Sequence, residues 1–362
     1  MTNSDSRSRI TRRQVLHRGV YTTAAAIASS PVIGAEQPKR GVSADSARPS
    51  LHVYENYGWL RGFNVIPSWA ARIEQAWWDY RSDRFREEIT LATQVHANCI
   101  RLWVELTAWM ADPEKVTENF MDAVAAIDEA GMKTMPCLFN MWHNLEWDYG
   151  GTYQSALPKR TSCQSYLESI VAPLVQDERI LLWDLCNEPK AHVLATLDKN
   201  GEYLWLKSIA QIIRDLGVRQ PVTIGTMFGD YIRAYAPLVD VLCGHPYARA
   251  CQAMAGSIRS LASIQQQAGK SMLVNECFPG SLDDIKRAEL TRCSAKLLSE
   301  ADFGWMGWSL KEGRTVSTRR DRYDANGING EGFHAWFTAD GKLRDGLEFL
   351  TETPRLQPPW KK

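Results

Sequence analysis

Short apolar segments alternate with longer amphipathic segments from about residue 51 onward. Each apolar run has the length of a buried parallel strand, and each amphipathic segment has the apolar spacing of a helix that covers one face of a sheet. The predicted strands are 60–66, 97–104, 133–139, 180–186, 221–225, 239–244, 271–275 and 304–309. The predicted helices are 84–95, 116–130, 203–216, 254–268 and 283–300. Eight strands with crossover helices predict an α/β fold, a (β/α)8 TIM barrel over residues 51–355.

The same region argues against an open, doubly wound sheet. Such a fold has a glycine-rich phosphate-binding turn after its first strand, and the segment 61–64 (RGFN) does not provide one. No linker, repeat or low-complexity segment interrupts residues 51–355, so a single catalytic domain is predicted there.

The first 35 residues differ from this domain in composition. Arg12 and Arg13 lie in a twin-arginine pattern, and a mildly apolar segment of small residues, 20–28, follows them. That segment is shorter than the ~20 apolar residues needed to span a bilayer. We therefore expect 1–35 to be a twin-arginine signal peptide and 36–50 a disordered leader. The mature protein is expected to be exported, periplasmic or secreted, without membrane insertion; a disordered basic tail is the alternative.

Composition and charge narrow the function classes. The 362 residues are 44% hydrophobic and 23% charged with a formal charge of zero, which gives no electrostatic reason to expect nucleic acid as a partner. Removing residues 1–35 leaves 37 basic and 41 acidic side chains, a net charge of −4. The eight cysteines show neither a Cys-x-x-Cys pair nor a zinc-type spacing, so no metal or other cofactor is predicted. Three of them lie outside predicted strands, where one disulfide is allowed but not indicated: Cys163, Cys251 and Cys293.

Polar residues follow the predicted strands at the end where a barrel binds its ligand. Asn187 and Glu188 close the fourth strand, and Glu276 closes the seventh. The glutamates are 88 residues apart, about three strand-plus-helix units of ~30 residues each, which places both at one mouth. Two carboxylates facing each other there predict cleavage of a glycosidic bond. The further polar or aromatic residues at strand ends are Asn64, Arg101, Glu105, Asn140, His143, His245, Tyr247 and Trp308.

At these residues the chain resembles the clan A retaining glycoside hydrolases, which are built on (β/α)8 barrels. It is most similar to family 5, the cellulase and mannanase family, and the catalytic barrels of family 2 are also similar. The residues that carry the resemblance are Asn187-Glu188-Pro189, Glu276, Arg101-Leu102-Trp103, His245-Pro246-Tyr247 and Trp308.

The resemblance implies a role for each matched residue. Glu188 is implied to be the acid/base and Glu276 the nucleophile, while Asn187 holds the sugar 2-hydroxyl. The residues implied to surround the nucleophile are Arg101, His245 and Tyr247. The predicted substrate-binding set is completed by Trp308, Asn64, His143, Trp142 and Trp147.

Elementary electrostatics agrees with these roles. A nucleophilic carboxylate must be ionised, and the Arg101 guanidinium and the Tyr247 hydroxyl are expected to lower the pKa of Glu276. The acid must stay protonated, which burial and the like charge of Glu276 favour for Glu188. The other acids near the mouth are expected to contact substrate or to be solvated; they are Glu105, Glu146 and Asp148.

The substrate class follows from aromatic side chains. The chain has 14 tryptophans, more than its core is expected to need, and flat aromatic faces suit the apolar faces of sugar rings. The aromatic residues of the early loops are Trp69, Trp77, Trp78, Trp109, Trp142, Trp147 and Tyr149. Trp77 and Trp78 are expected in the core, and the others are expected to form a stacking surface. Because no basic cluster lines these loops, the substrate is predicted to be a neutral β-linked saccharide of the β-mannan or β-glucan type.

Three alternatives stay open at the level of sequence. The first is an exo-acting β-glycosidase or a transglycosylase on small oligosaccharides, which uses the same residues. The second is a catalytically inactive, carbohydrate-binding barrel, which the presence of both Glu188 and Glu276 disfavours. The third is a metal-dependent hydrolase using His143 and His245, which the lack of histidine in the first strand disfavours. The sequence does not set the oligomeric state.

Overall fold

The computed structural model describes residues 53–140, 160–189, 201–227, 229–326 and 330–361. The predicted signal peptide and leader lie outside these residues, and so do His143, Trp142, Trp147 and the neighbouring Glu146, Asp148 and Tyr149.

Eight parallel strands form one sheet in the order β5-β4-β3-β2-β1-β8-β7-β6. The strands are β1 Arg61–Val65, β2 Cys99–Trp103, β3 Lys133–Cys137, β4 Trp183–Asn187, β5 Val222–Gly225, β6 Leu242–Cys243, β7 Met272–Cys277 and β8 Trp305–Gly307. The two ends of the sheet meet where Thr226 pairs with Gly244 in parallel, which closes the barrel. All eight predicted strands and the predicted fold class are therefore confirmed, although β6 is only two residues long.

Nine of the helices described lie in the connections between strands, and the last two follow β8. They are α1 Ile73–Trp78, α2 Ser82–Gln94, α3 Leu106–Ala111, α4 Pro113–Glu129, α5 Arg160–Ile170, α6 Gly201–Asp215, α7 Gly229–Tyr235, α8 Cys251–Ala268, α9 Asp284–Glu300, α10 Arg320–Asn326 and α11 Phe349–Glu352. The five predicted helices correspond to α2, α4, α6, α8 and α9. Most of the helices that the sequence did not predict are one or two turns long, too short for apolar periodicity to be recognised.

The core has two parts because each strand alternates its side chains between the barrel interior and the surrounding helices. One large apolar cluster fills the space between strands and helices. A second, smaller cluster fills the lower barrel interior and includes Cys99, Met135, Leu273 and Met306. We call this second cluster the floor of the barrel.

Only one of the two neighbouring tryptophans of α1 is buried, although both were expected in the core. Trp77 is buried, whereas Trp78 is 46% exposed, so its assignment to the core was wrong. Successive helical residues point about 100° apart, and only one of the two can face the barrel. The Trp78 indole N–H donates to the Ala108 carbonyl, which holds the ring at the surface.

A disulfide joins Cys251 at the start of α8 to Cys293 in α9. The sequence allowed such a bridge without indicating it, and the third candidate, Cys163, is buried and is not disulfide-bonded. The bridge anchors the end of the segment that leads from β6 into α8. Across the described parts of the chain, no helix is both long enough and apolar enough to cross a membrane.

Candidate active site

The two candidate carboxylates emerge where the strand pairing is irregular. The register of β4 against β5 shifts between Asp184 and Asn187, and that of β7 against β8 shifts between Val274 and Cys277. Such irregularities redirect side chains at strand ends and are common beside active sites. Glu188 directly follows the irregular part of β4, and Glu276 lies within the irregular part of β7.

Glu188 follows β4 in a left-handed backbone conformation, with φ of +47°. A non-glycine residue adopts this region at a cost of about 1 kcal/mol or more. The Glu188 N–H donates to the Gly225 carbonyl at 2.8 Å, which fixes the conformation from the neighbouring strand. The carboxylate is thereby held in a defined direction, and the residue is only 5% exposed.

Glu188 and Glu276 lie close together at the bottom of a cleft of about 850 Å³. One carboxylate oxygen of Glu188, one of Glu276 and a ring nitrogen of His245 all lie within 4.8 Å of one another. Asn187, Tyr247 and Trp308 also line the cleft.

Arg101 is the centre of the hydrogen-bond network behind the nucleophile candidate. Its guanidinium is fully buried and donates to Glu276 Oε2 at 2.9 Å, to Asn187 Oδ1 at 2.9 Å and to Asn64 Oδ1 at 2.8 Å. It also donates to Asp184 Oδ2 at 2.6 and 2.9 Å. Arg101 itself does not line the cleft, but it holds Asn187 and Glu276, which do.

The charge state of Glu276 depends on opposing influences. The Tyr247 hydroxyl donates to Glu276 Oε1 at 2.8 Å, and Arg101 holds the other oxygen. Burial nevertheless raises the pKa of Glu276, as does the nearby Glu188 charge, and together they outweigh the lowering by His245, Arg101 and Tyr247. The expectation that Arg101 and Tyr247 would lower the pKa is right for their individual effects and wrong for the net direction, because desolvation is the largest effect.

His245 links the two carboxylates. Its Nδ1 lies 2.7 Å from Glu188 Oε1 and 3.8 Å from Glu276 Oε2, and its Nε2 lies 2.7 Å from Asn275 Oδ1. Burial alone would lower the pKa of this imidazole, but the Glu276 charge and the contacts with Cys243 and Glu188 raise it well above 6.5. A protonated ring donates through both nitrogens, to Glu188 and to Asn275.

Asp184 and Asn275 complete a continuous polar network and were not recognised in the sequence as site residues. The Asn275 amide donates to Asp184 Oδ2 at 2.8 Å and accepts from His245, while Asp184 accepts from Arg101. The network therefore runs from Glu188 through His245, Asn275, Asp184 and Arg101 to Glu276. A signal was present in the sequence, because Asp184 and Asn275 are polar residues inside otherwise apolar strands.

The asparagines predicted to bind substrate differ in their positions. Asn64 is fully buried, and its amide donates to the Asn275 carbonyl at 2.8 Å, so it supports the network from behind. Asn187 lines the cleft, and its amide donates to Asn140 Oδ1 at 3.2 Å. Glu105, expected to contact substrate or solvent, is fully buried instead. The chain turns directly into α3 at this residue, which packs Glu105 beneath the mouth.

Within the predicted set of early-loop aromatic residues, the tryptophans that the structure describes do not line the cleft. Trp69 and Trp109 are 3% and 8% exposed and belong to the core. Two residues outside that predicted set, Trp103 and His334, line the cleft with Trp308. Trp103 contacts Trp308 edge to face, with ring centroids 5.4 Å apart. Of the tryptophans predicted to bind substrate, Trp308 is the one within the described residues, and it lines the cleft.

His334 was missed because it lies 27 residues beyond the end of β8, outside any predicted strand end. Its ring packs edge to face on Tyr247, with centroids 5.7 Å apart. Burial and the charges of Arg287 and Arg249 lower its pKa to about 4. It therefore presents a neutral imidazole to the cleft at neutral pH.

Glu188, His245 and Glu276 are also the one group among the described residues with the spacing of a metal site. The donors do not fit that use. Both ring nitrogens of His245 are engaged, one by Glu188 and one by Asn275. A metal needs a neutral imidazole with a free lone pair, whereas the pKa of His245 is raised well above 6.5.

The fold and site together define a glycosidase of the (β/α)8 class, with paired carboxylates on the fourth and seventh strands of the barrel. Residues 62–314 match the family model for Cellulase (glycosyl hydrolase family 5), and the chain belongs to that family. No curated protein sequence matches the chain.

Solved structures share the fold at low sequence identity. An exo-β-1,4-mannosidase from Opitutaceae bacterium strain TAV5 has a TM-score of 0.62 and 17% identity over 81% of this chain and 58% of that one. The endo-1,4-β-D-mannanase of Thermotoga petrophila RKU-1 has a TM-score of 0.60 and 16% identity over 81% of this chain and 98% of that one. The Streptomyces cattleya protein GH5_18, in complex with Manβ1-4GlcNAc, has a TM-score of 0.64 and 14% identity over 83% of each chain. At these identities the likeness concerns the fold, and this chain spans less than two thirds of the exo-mannosidase.

Proposed function

We propose that the protein is a retaining β-glycoside hydrolase that works by double displacement, with Glu276 as nucleophile and Glu188 as acid/base. The observation that supports this most directly is that carboxylate oxygens of the two residues lie within 4.8 Å. Retaining enzymes have carboxyl groups ~5–5.5 Å apart, whereas inverting enzymes need ~6.5–9.5 Å to admit a water molecule between carboxylate and sugar.

The first step forms a covalent glycosyl-enzyme. A Glu276 oxygen attacks the anomeric carbon while the bond to the leaving oxygen breaks, and Glu188 gives its proton to that oxygen. In the second step Glu188 accepts a proton from water, which attacks the anomeric carbon and releases Glu276. His245 and Arg101 hold the two carboxylates in position throughout, through hydrogen bonds of 2.7 and 2.9 Å.

We propose that the sugar at the cleavage site is neutral and β-linked, of the β-mannan or β-glucan type. Apart from Glu188 and Glu276, the charged side chains that line the cleft form pairs, Arg72 with Glu74 at 3.0 Å and Arg249 with Glu331. Trp308 supplies an aromatic face and Asn187 a polar contact in the same cleft. The volume of about 850 Å³ is at the upper end for ligand sites, which favours an oligosaccharide or polymer over a monosaccharide.

The closest competing function uses the same residues. An exo-acting β-glycosidase or a transglycosylase differs only in the length of the bound chain or in the acceptor of the glycosyl unit. Product sizes from a panel of mannans and glucans separate endo from exo action, and the appearance of products longer than the substrate identifies transglycosylation. Absence of turnover on every aryl β-glycoside and polysaccharide would instead favour a binding protein.

Two measurements test the proposed mechanism. The anomer released in the first minutes, read by NMR, is expected to be β, and an α product would refute Glu276 as nucleophile. Glu188→Ala is expected to lose about 10²–10⁴-fold on a substrate with a poor leaving group and to keep most of its activity on an activated aryl glycoside. Equal losses on both substrates would show that Glu188 is not the acid.

We further propose that the protein is exported through a twin-arginine signal. Arg12 and Arg13 with the following apolar segment support this. Replacing both by lysine is expected to retain the protein in the cytoplasm, measured by fractionation, and unchanged export would contradict the proposal.

A further inference from the structure

A second depression has a volume of about 420 Å³, and five of its eleven lining residues are arginine. Arg81 and Arg84 come from the beginning of α2, and Arg314, Arg319 and Arg320 come from the connection after β8. The two groups are more than 200 residues apart in the chain, so the sequence shows no such cluster. We call this depression the arginine pocket.

The lining of the arginine pocket carries more positive than negative charge. Glu312 and Asp321 are its two acidic residues. Asp321 is held by Arg319 through bonds of 2.6 and 2.7 Å, and Glu312 lies 3.7 Å from the buried Arg344. The pocket's own acids are therefore already neutralised by arginine.

Two of the other arginines have carboxylate partners outside the lining, and the first of these, Arg81, lies 2.6 Å from Asp79. Arg84 lies 3.4 Å from Glu88, a carboxylate that also lies 3.9 Å from Lys311. Arg314 is exposed, and its guanidinium donates to the Trp69 carbonyl at 3.4 Å. The lining itself holds five arginines against two acids, and such an excess of cations attracts an anion.

Two of these arginines lie over the ring of Trp69. The guanidinium groups of Arg84 and Arg81 lie 5.4 and 6.0 Å from the centre of its ring. Trp69 is itself 3% exposed and fixed in the core, so its face is a rigid support. Guanidinium groups held in this way lose less freedom on binding, and their planar donors match a carboxylate through paired hydrogen bonds.

Neighbouring segments of the chain line the arginine pocket and the catalytic cleft. Ser68 and Trp69 line the pocket, and Ala71 and Arg72, two residues further on, line the cleft. In the connection after β8, Arg314 and Arg319 line the pocket while the intervening segment 315–317 lines the cleft. A saccharide chain that leaves the cleft over these two loops reaches the pocket.

We propose that the arginine pocket binds a carboxylate-bearing sugar unit of the saccharide chain that is cut in the cleft. This inference rests on the proposed hydrolysis of a β-linked chain and extends it: the residue at the cleavage site is neutral, and an acidic unit or branch further along the chain is recognised. The early loops alone gave no reason to expect a charged substrate. Much of the pocket comes from the segment that follows the last strand, β8.

The test compares two derivatives of one β-glucan, carboxymethyl and hydroxyethyl, which differ in charge at similar bulk. Binding is measured by affinity electrophoresis in the mature protein with Glu276→Ala, so that the polymer is not cut. The pocket variant adds Arg314→Gln, at an exposed position of the lining, and so removes one positive charge. The control adds Arg259→Gln, an exposed arginine of α8 that lies away from the pocket.

At low ionic strength the carboxymethyl polymer is expected to bind about fivefold more tightly than the hydroxyethyl polymer, and salt is expected to reduce this preference. The pocket variant is expected to lose the preference, and the control to keep it. No preference in the parent protein, or a preference that survives in the pocket variant, would overturn the proposal. Thermal unfolding of each variant verifies that the fold is intact.

Two further arms separate the sources of the effect. Sodium glucuronate is expected to compete with the carboxymethyl polymer better than inorganic phosphate at equal concentration. Stronger competition by phosphate would identify a small-anion site and refute the sugar assignment. Turnover of the hydroxyethyl polymer by the unsubstituted enzyme tests the proposed hydrolysis separately. If that polymer is not cut, the binding comparison still tests the arginine pocket.

Discussion

The floor of the barrel and the polar network at its mouth are both buried, yet their chemistry is opposite. Inward-facing Cys99 of β2 and Leu273 of β7 belong to the apolar floor. Two residues further along the same strands, Arg101 and Asn275 are also fully buried, but they belong to the polar network of the mouth. One step of the strand repeat therefore separates apolar packing from buried charge.

This difference separates stability from function. Apolar burial in the floor lowers the free energy of the folded state and requires no partner. Buried ions in the mouth carry a desolvation cost that pairing offsets only in part, so such a network is weak evidence for stability. Its retention beneath the cleft is explained by the position that it gives to Glu188 and Glu276.

Substitution in the mouth is expected to give the largest effect, and on activity alone. Glu276→Ala removes the group that forms the covalent bond, so turnover is expected to fall by roughly 10⁵-fold or more. The folded state loses a carboxylate whose burial raises its pKa, and Arg101 keeps its contacts with Asp184. Turnover is measured by released reducing sugar and stability by thermal unfolding. A large drop in melting temperature would mean that the polar network of the mouth also stabilises the folded state.

Substitution in the floor is expected to have the reverse effect. Leu273→Ala removes a fully buried side chain between neighbouring strands and is expected to lower the free energy of unfolding by about 2–5 kcal/mol. Turnover at 25 °C is expected to stay near that of the parent, because Leu273 lies below the network. Leu356→Ala, at a position 38% exposed, is the control and is expected to change stability little. Loss of turnover in folded Leu273→Ala would show that floor and mouth are mechanically coupled.

The sequence predicted the barrel better than it predicted the surroundings of the site. The strands were recognisable because each combines an apolar run with a polar end, and Glu188 and Glu276 lie at two such ends. Asp184 and Asn275 were missed because they contact each other only when the barrel closes, across 91 residues. A polar residue at an inward position of an apolar strand is the signal that identifies such partners.

Loop residues could not be placed from the sequence for a related reason. Trp69 and Trp109 are core residues, and His334 lines the cleft. None of these three positions follows from strand periodicity. The path of a long connection depends on what it packs against, which local pattern does not specify. The arginine pocket is the clearest case, since its halves come from opposite ends of the domain's sequence.

The smallest expected effect is a shift along the pH axis, and it tests whether the network of the mouth acts through charge. The positive charge of His245 lowers the pKa of Glu276, and the Tyr247 hydroxyl lowers it less. The nucleophile must be ionised, so the acidic limb of kcat/KM follows this pKa. His245→Gln removes the charge; the pKa of Glu276 then rises and the acidic limb moves to higher pH. Tyr247→Phe is the matched comparison and is expected to move the limb in the same direction by less. An acidic limb that stays in place or moves to lower pH in His245→Gln would show that His245 positions Glu188 without influencing the ionisation of Glu276.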